Sequence, residues 1–289
     1  MLRFHPPGFG QKFTQTSLGT IAYYTQTQAS DGTPIVFLHS FGGGSSAYEW
    51  SKVYPVFDPS VAVDLIGWGD SSHPARDYRP DDYVMSIEEF LKKISDQPVH
   101  LVAASLTGAF AIRLAVQHPE LVRSLFLVCP SGFDDFGQNA GRRIPLEIIN
   151  TPILDRIIYT IGATNDLAVR NFLENFLFAN RDRVTPEMIN AYLESARKPN
   201  ADYAALSFLR GDLYFDLAPY LPQLKTPTSI VWGNQAQFTD VQLGREITAM
   251  NPDAIREFHI VPESGVLVHL EQPAIVARLL LQWLKAEID

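Results

Sequence analysis

Val102-Ala103-Ala104-Ser105-Leu106-Thr107-Gly108-Ala109 decides how this chain folds. It begins inside a short apolar run, Val99 to Ala103, of the kind that forms a buried parallel strand. It leads into a helical pattern, Thr107 to His118, that stops at Pro119. A serine at such a strand-to-helix junction can be held on a tight, strained turn with its hydroxyl above the sheet. The Leu106 N–H, at the start of the helix, is then placed to stabilise negative charge. The competing reading is a serine that only caps the helix.

Outward from this junction the chain alternates strands and helices. Phe13–Leu18 and Thr20–Thr25 read as two opening strands around a turn at Gly19. Ile35–Leu38, Val61–Leu65, Leu125–Val128, Thr228–Trp232 and Glu257–Val261 complete, with Val99–Ala103, a series of eight. Helical patterns over Asp81–Ser95, Thr107–His118 and Pro273–Glu287 separate or follow them. Such alternation predicts an α/β fold, a mostly parallel sheet covered by helices on both faces. The alternation breaks between Phe133 and Lys225. There Ile153, Leu154, Ile157, Ile158 and Ile161 suggest one apolar helical face, and Thr185-Pro186-Glu187 reads as a helix start. The expected organisation is a core of residues 1–132 and 226–289 with an all-helical cap, 133–225, inserted over the sheet.

Two further motifs follow strands. His39-Ser40-Phe41-Gly42-Gly43-Gly44 follows the third strand. Its small residues let backbone N–H groups approach a ligand, with the Phe41 N–H as a candidate oxyanion donor. Asp64-Leu65-Ile66-Gly67-Trp68-Gly69-Asp70-Ser71 follows the fourth strand. Its glycines permit a sharp reversal, and Asp64 reads as the anchor of that turn.

These three motifs in this order resemble the α/β-hydrolase superfamily, in the subgroup with a helical cap after the sixth strand. Trp232-Gly233, and Gly265 followed by Glu271-Gln272-Pro273, extend the resemblance over nearly the whole chain. It implies that Ser105 occupies the nucleophile position and that Phe41 and Leu106 supply the oxyanion N–H groups. It also exposes departures. The elbow is usually Gly-x-Ser-x-Gly, and here Ala103 and Thr107 replace the two glycines. The family acid position is filled by Ala236 and the family base position by Val266. Alanine cannot orient an imidazole, and valine cannot accept the serine proton.

Seven histidines could supply another base: His5, His39, His73, His100, His118, His259 and His269. His269, three residues past the usual position, is the best substitute; in the family that second position supports the loop. Displaced acids could come from Asp134 or Asp135 after the sixth strand, or less readily from Asp240 or Glu263. A serine at the elbow argues against dehalogenase and epoxide-hydrolase chemistry, which use aspartate there. It suits an esterase, thioesterase, lipase or C–C-bond hydrolase ancestry.

Composition narrows the rest. The chain has 289 residues, 46% of them hydrophobic and 19% charged, and a formal net charge of −9. An acidic chain without a basic cluster is a poor nucleic-acid partner. The lone Cys129 excludes an internal disulfide framework and any cysteine-cluster metal site. No run nears the ~18 apolar residues of a membrane span, and Met1 to Gly8 lack a signal-peptide core. The expectation is a cytoplasmic protein without integral membrane association. No metal or cofactor is expected, since Gly42-Gly43-Gly44 is not followed by Gly-Lys-Ser/Thr. The functional expectation is a weakly active or inactive hydrolase relative that binds a small apolar or ester-like molecule, or a partner. The alternative is an active serine hydrolase using Ser105 with His269.

Overall fold

The structure, a computed structural model, describes residues 6–28, 31–132, 154–237 and 239–287. Eight strands form one sheet in the order β1-β2-β4-β3-β5-β6-β7-β8. They are β1 (Phe9–Thr16), β2 (Gly19–Gln26), β3 (Ile35–Leu38), β4 (Ser60–Asp64), β5 (Val99–Ala104), β6 (Val122–Val128), β7 (Thr228–Gly233) and β8 (Ile255–Val261). Strands β3 to β8 run parallel, and β1 and β2 attach antiparallel at one edge. Strands β3, β4, β5 and β7, inside the sheet, are buried along their whole length, as strands covered on both faces are, whereas β8 forms the other edge and is buried only at its ends.

The opening hairpin differs from its sequence reading. Strand β1 starts at Phe9 and pairs Thr16 with Gly19, so the turn is Ser17-Leu18 rather than Gly19. Gly19 has a different task. It sits at φ +140°, where a Cβ would lie 2.7 Å from the Ser72 Cβ, so the glycine admits the loop after β4.

Helices α1 (Pro80–Ile94) and α2 (Leu106–Gln117) flank the sheet, and α2 begins directly after Ser105. After β6 come α3 (Leu154–Ala163), α4 (Asp166–Phe172), a π-turn over Leu173–Leu177, α5 (Pro186–Ala196) and α6 (Ala201–Arg210). Thr185 accepts the Met188 N–H at 3.3 Å and Pro186 opens α5, as the Thr-Pro-Glu run predicts. The expected apolar face of α3 is not the buried one among the described residues. Ile157 and Ile161 are exposed, while Tyr159 and Ala163 face inward. Ala163 packs against the loop after β3, where Gly43 leaves room for it: a Cβ on Gly43 would stand 2.8 Å from the Ala163 Cβ. Ile153 lies outside the described residues, as do the side chains of Leu154 and Ile158. After β7 come α7 (Val241–Met250), the single turn α8 (Val268–Glu271) and α9 (Pro273–Ala286). Val276, Leu280, Trp283 and Leu284 of α9 are buried, as their spacing requires.

The helices between β6 and β7 have a small apolar cluster of their own, including Leu173, Leu177, Phe178, Ile189 and Tyr192. Leu267 and Leu270, which follow the family base position, belong to that cluster rather than to the main core. No helix among the described residues is long and apolar enough to cross a membrane.

Candidate active site

Ser105 has φ 54° and ψ −133°, a conformation that glycine adopts readily and other residues rarely do. A non-glycine residue held there stores on the order of 1–3 kcal/mol. Neighbouring groups fix it: its N–H donates to the Val128 carbonyl at 2.9 Å. Its own carbonyl accepts N–H groups from Gly108 at 2.9 Å and Ser131 at 3.2 Å. The Ser105 side chain makes no helix-capping hydrogen bond. The reading of this serine as a helix cap is therefore not what the structure has.

Thr107, at one of the two elbow glycine positions, has a local explanation. The Thr107 hydroxyl donates to the Ala104 carbonyl at 2.7 Å and accepts the Ala104 N–H at 3.2 Å. That pairing satisfies a fully buried hydroxyl and two backbone groups at the strand end. The close approach that a glycine would serve falls instead on Gly108, where a Cβ would stand 2.9 Å from the Pro130 Cβ.

The amide N–H groups of Phe41 and Leu106 donate no hydrogen bond within the described residues. Phe41 is held by an aromatic box. Its ring stacks on Trp68 at 5.1 Å and contacts Tyr83 at 4.7 Å and Phe110 at 5.8 Å. The peptide before it is clamped on three sides. Ser40 donates its N–H to Glu49 Oε2 at 2.8 Å and its hydroxyl to Glu49 Oε1 at 2.9 Å. The Leu65 N–H donates to His39 Nε2 at 3.0 Å, which leaves Nδ1 to donate to the Ser40 carbonyl at 2.6 Å. A trans peptide points its C=O and N–H in opposite directions, so holding the Ser40 carbonyl aims the Phe41 N–H. His39 is thus a structural hydrogen-bonder.

The glycine run after Phe41 accommodates protein rather than open space. A Cβ on Gly42 would meet the Phe172 ring at 3.3 Å. Gly44, at φ +94°, would place a Cβ 2.2 Å from the Tyr192 carbonyl oxygen. Asp64 is the expected turn anchor. It accepts the N–H groups of Ala47 at 2.7 Å and Asp70 at 2.8 Å, and burial pushes its carboxyl up.

The described residues that were candidates for a triad make the following contacts. The Val266 N–H donates to the Leu177 carbonyl at 3.0 Å, and Ala236 closes a turn on the Gly233 carbonyl at 3.2 Å. His269 is fully buried and stacks on Trp50, with ring centroids 3.9 Å apart. Its Nε2 stands 3.6 Å from Glu49 Oε2, beyond hydrogen-bond reach, and neither ring nitrogen has a hydrogen-bond partner among the described residues. Burial lowers the His269 pKa and favours the uncharged imidazole. Elsewhere, His73 binds the Gly69 carbonyl, His100 the Ser124 hydroxyl, His118 the Glu120 carboxylate and His259 the Glu257 carboxylate. Asp240 is an exposed helix cap that accepts the Leu243 N–H at 3.0 Å. Glu263 is an exposed turn residue beside Arg183. His5, Asp134 and Asp135 lie outside the described residues. Cys129 is buried beneath the Gly233 N–H, and burial pushes its thiol up to about 12.

Sequence reasoning missed Glu49. This carboxylate is fully buried, accepts both Ser40 bonds, and takes a third from the Tyr192 hydroxyl at 2.9 Å. Burial opposes its ionisation, but the facing His269 ring and the Ser40 N–H hold its pKa low. Its one sequence signal is an acid enclosed by aromatic neighbours in Ala47-Tyr48-Glu49-Trp50.

A model of the Alpha/beta hydrolase family matches residues 35–279 of this chain. The chain belongs to that family. One relative of this family member is 2-hydroxy-6-oxo-6-phenylhexa-2,4-dienoate hydrolase of Burkholderia cepacia. It is 24% identical over 268 residues, with 89% of each chain covered. An uncharacterized hydrolase of Bacillus subtilis is 24% identical over 276 residues, covering 92% of this chain and 95% of that one. Among solved structures, a serine hydrolase involved in carbazole degradation aligns with TM-score 0.77 and 20% identity, covering 96% of this hydrolase-family chain and 99% of its own. A variant of haloalkane dehalogenase DatA from Agrobacterium tumefaciens aligns with TM-score 0.79 and 19% identity, covering 97% and 98%. At these identities the structural likeness speaks to the fold alone.

Proposed function

We propose that this chain is a hydrolase relative whose site binds an oxygen-bearing apolar molecule and turns it over weakly or not at all. In this reading residues 133–225 form a cap over a core of residues 1–132 and 226–289. The Ser105 hydroxyl and the N–H groups of Phe41 and Leu106 take the carbonyl or carboxylate oxygen of the ligand. The observation that carries the reading is that His39, His73, His100, His118 and His259 are hydrogen-bonded to other groups and His269 is stacked on Trp50, with valine at the position read as the family base. Without a base, serine attack on an ester loses most of its acceleration, because the triad acts as a unit. Phe172, half-buried between the small apolar cluster and Gly42, and Phe176, packed on the same cluster, favour a ligand with an apolar body. The Burkholderia relative is named for a dienoate with a 6-oxo and a phenyl group, a molecule of that general kind.

A fluorophosphonate probe tests this, because it modifies a serine only when a base activates it. The expected result is little labelling that depends on Ser105, with Ser105→Ala as the control. Rapid, stoichiometric labelling lost in Ser105→Ala would overturn the reading and return the role of base to His269, which would then have to leave Trp50.

A further inference from the structure

The oxyanion loop is held from the helical side as well as from the sheet. Gly42 lies against Phe172, Gly43 against Ala163, and Gly44 against the Tyr192 backbone. The Ser195 hydroxyl on α5 donates to the Ser45 carbonyl at 3.0 Å and accepts the Gly69 N–H at 3.1 Å. Only at Ser40, directly before the Phe41 N–H, is the link indirect, and there it passes through one carboxylate. Glu49 Oε1 accepts the Ser40 hydroxyl and the Tyr192 hydroxyl, each at 2.9 Å, while Oε2 accepts the Ser40 N–H at 2.8 Å. All three residues are buried, so an unmade bond would not be replaced by water at low cost.

We propose that Glu49 is a positioning residue that couples the seating of α5, through Tyr192, to the direction of the Phe41 N–H. When Tyr192 sits on Gly44, its hydroxyl completes the shell of Glu49, and Glu49 holds the N–H and the hydroxyl of Ser40. When α5 lifts, Glu49 loses one of its three donors in a dry site, its grip on Ser40 loosens, and the His39 bond to the Ser40 carbonyl is left as the main restraint on the Ser40-Phe41 peptide. This deepens the binding reading above, because it makes the oxygen-binding N–H depend on the helices that enclose a ligand.

The test is hydrogen–deuterium exchange on the full chain, which needs no ligand. Tyr192→Phe removes one hydroxyl from α5 and should raise exchange in residues 39–45 by roughly tenfold, the scale of one hydrogen bond to a charged acceptor. Glu49→Gln should leave exchange there within about twofold, because its amide oxygen can accept from the Ser40 N–H and both hydroxyls can rotate to accept from its NH₂. If Tyr192→Phe raises exchange only within α5, or equally through strands β3 to β6, the coupling is wrong. These results do not depend on fluorophosphonate labelling, so a failure of the coupling and a failure of the binding reading are separable.

Discussion

The Val266 N–H donates to the Leu177 carbonyl at 3.0 Å, and a Cβ on the adjoining Gly265 would stand 2.2 Å from the same oxygen. The loop that carries the family base is therefore sealed against the π-turn. Glu271 reinforces the seal. It accepts N–H groups from Gly265 at 2.7 Å and Asn180 at 2.9 Å, and pairs with Arg183 at 3.1 Å.

That seal predicts how hard the triad is to restore. Val266→His inserts an imidazole with no carboxylate to orient it, because Ala236 fills the acid position. Hydrolysis of p-nitrophenyl acetate should rise less than about tenfold, and Val266→His with Ala236→Asp should gain about a hundredfold or more. Equal rates for the single and double variants would contradict this.

The elbow gives opposite signs for two substitutions at one position. Ser105→Gly relieves the strained φ of 54° and should raise unfolding free energy by about 1 kcal/mol, although glycine gains unfolded-state entropy. Ser105→Ala keeps the strain and loses no capping bond, so it should change stability by less than about 0.5 kcal/mol. Denaturant unfolding measures both, and a destabilised Ser105→Gly would show that the turn is not strained.

Acid stability should depend on His100. Burial, with the Arg123 charge beside it, lowers its pKa from 6.5 to about 4. The unfolded chain then takes up the proton first, so stability is full above about pH 6.5 and falls as the pH drops toward 4. Burial lowers the pKa values of His73 and His269 too, so they add to the same decline. Urea midpoints at several pH values should show a shallower decline in His100→Gln, which keeps a partner for the Ser124 hydroxyl. An unchanged slope would exclude this histidine as a source.

Much of the fold was legible because apolar runs and helical periodicity are local. All eight strands could be placed from such runs, yet the opening hairpin shifted, since its edge strands alternate weakly and Gly19 resembles a turn glycine. The elbow was legible because it lies at a fixed offset from a strand end, whereas reading positions 236 and 266 as the family's acid and base positions rests on the resemblance. The role of Gly42-Gly43-Gly44 was misread in part, because glycine makes room equally for a ligand or for a neighbouring helix. Only the contacts with Phe172, Ala163 and Tyr192 separate the two.

Sequence alone determined the strand and helix pattern of an α/β sheet protein, a serine at the strand-to-helix turn, and alanine and valine at positions 236 and 266. Those are statements about residue type at a position, which folding cannot alter. Tertiary structure alone decided where His269 and Glu49 face. Residues 49, 192 and 269 are far apart along the chain, and they meet only when α5 and α8 close on the sheet. There a buried carboxylate must find donors wherever the fold provides them, because water cannot reach it.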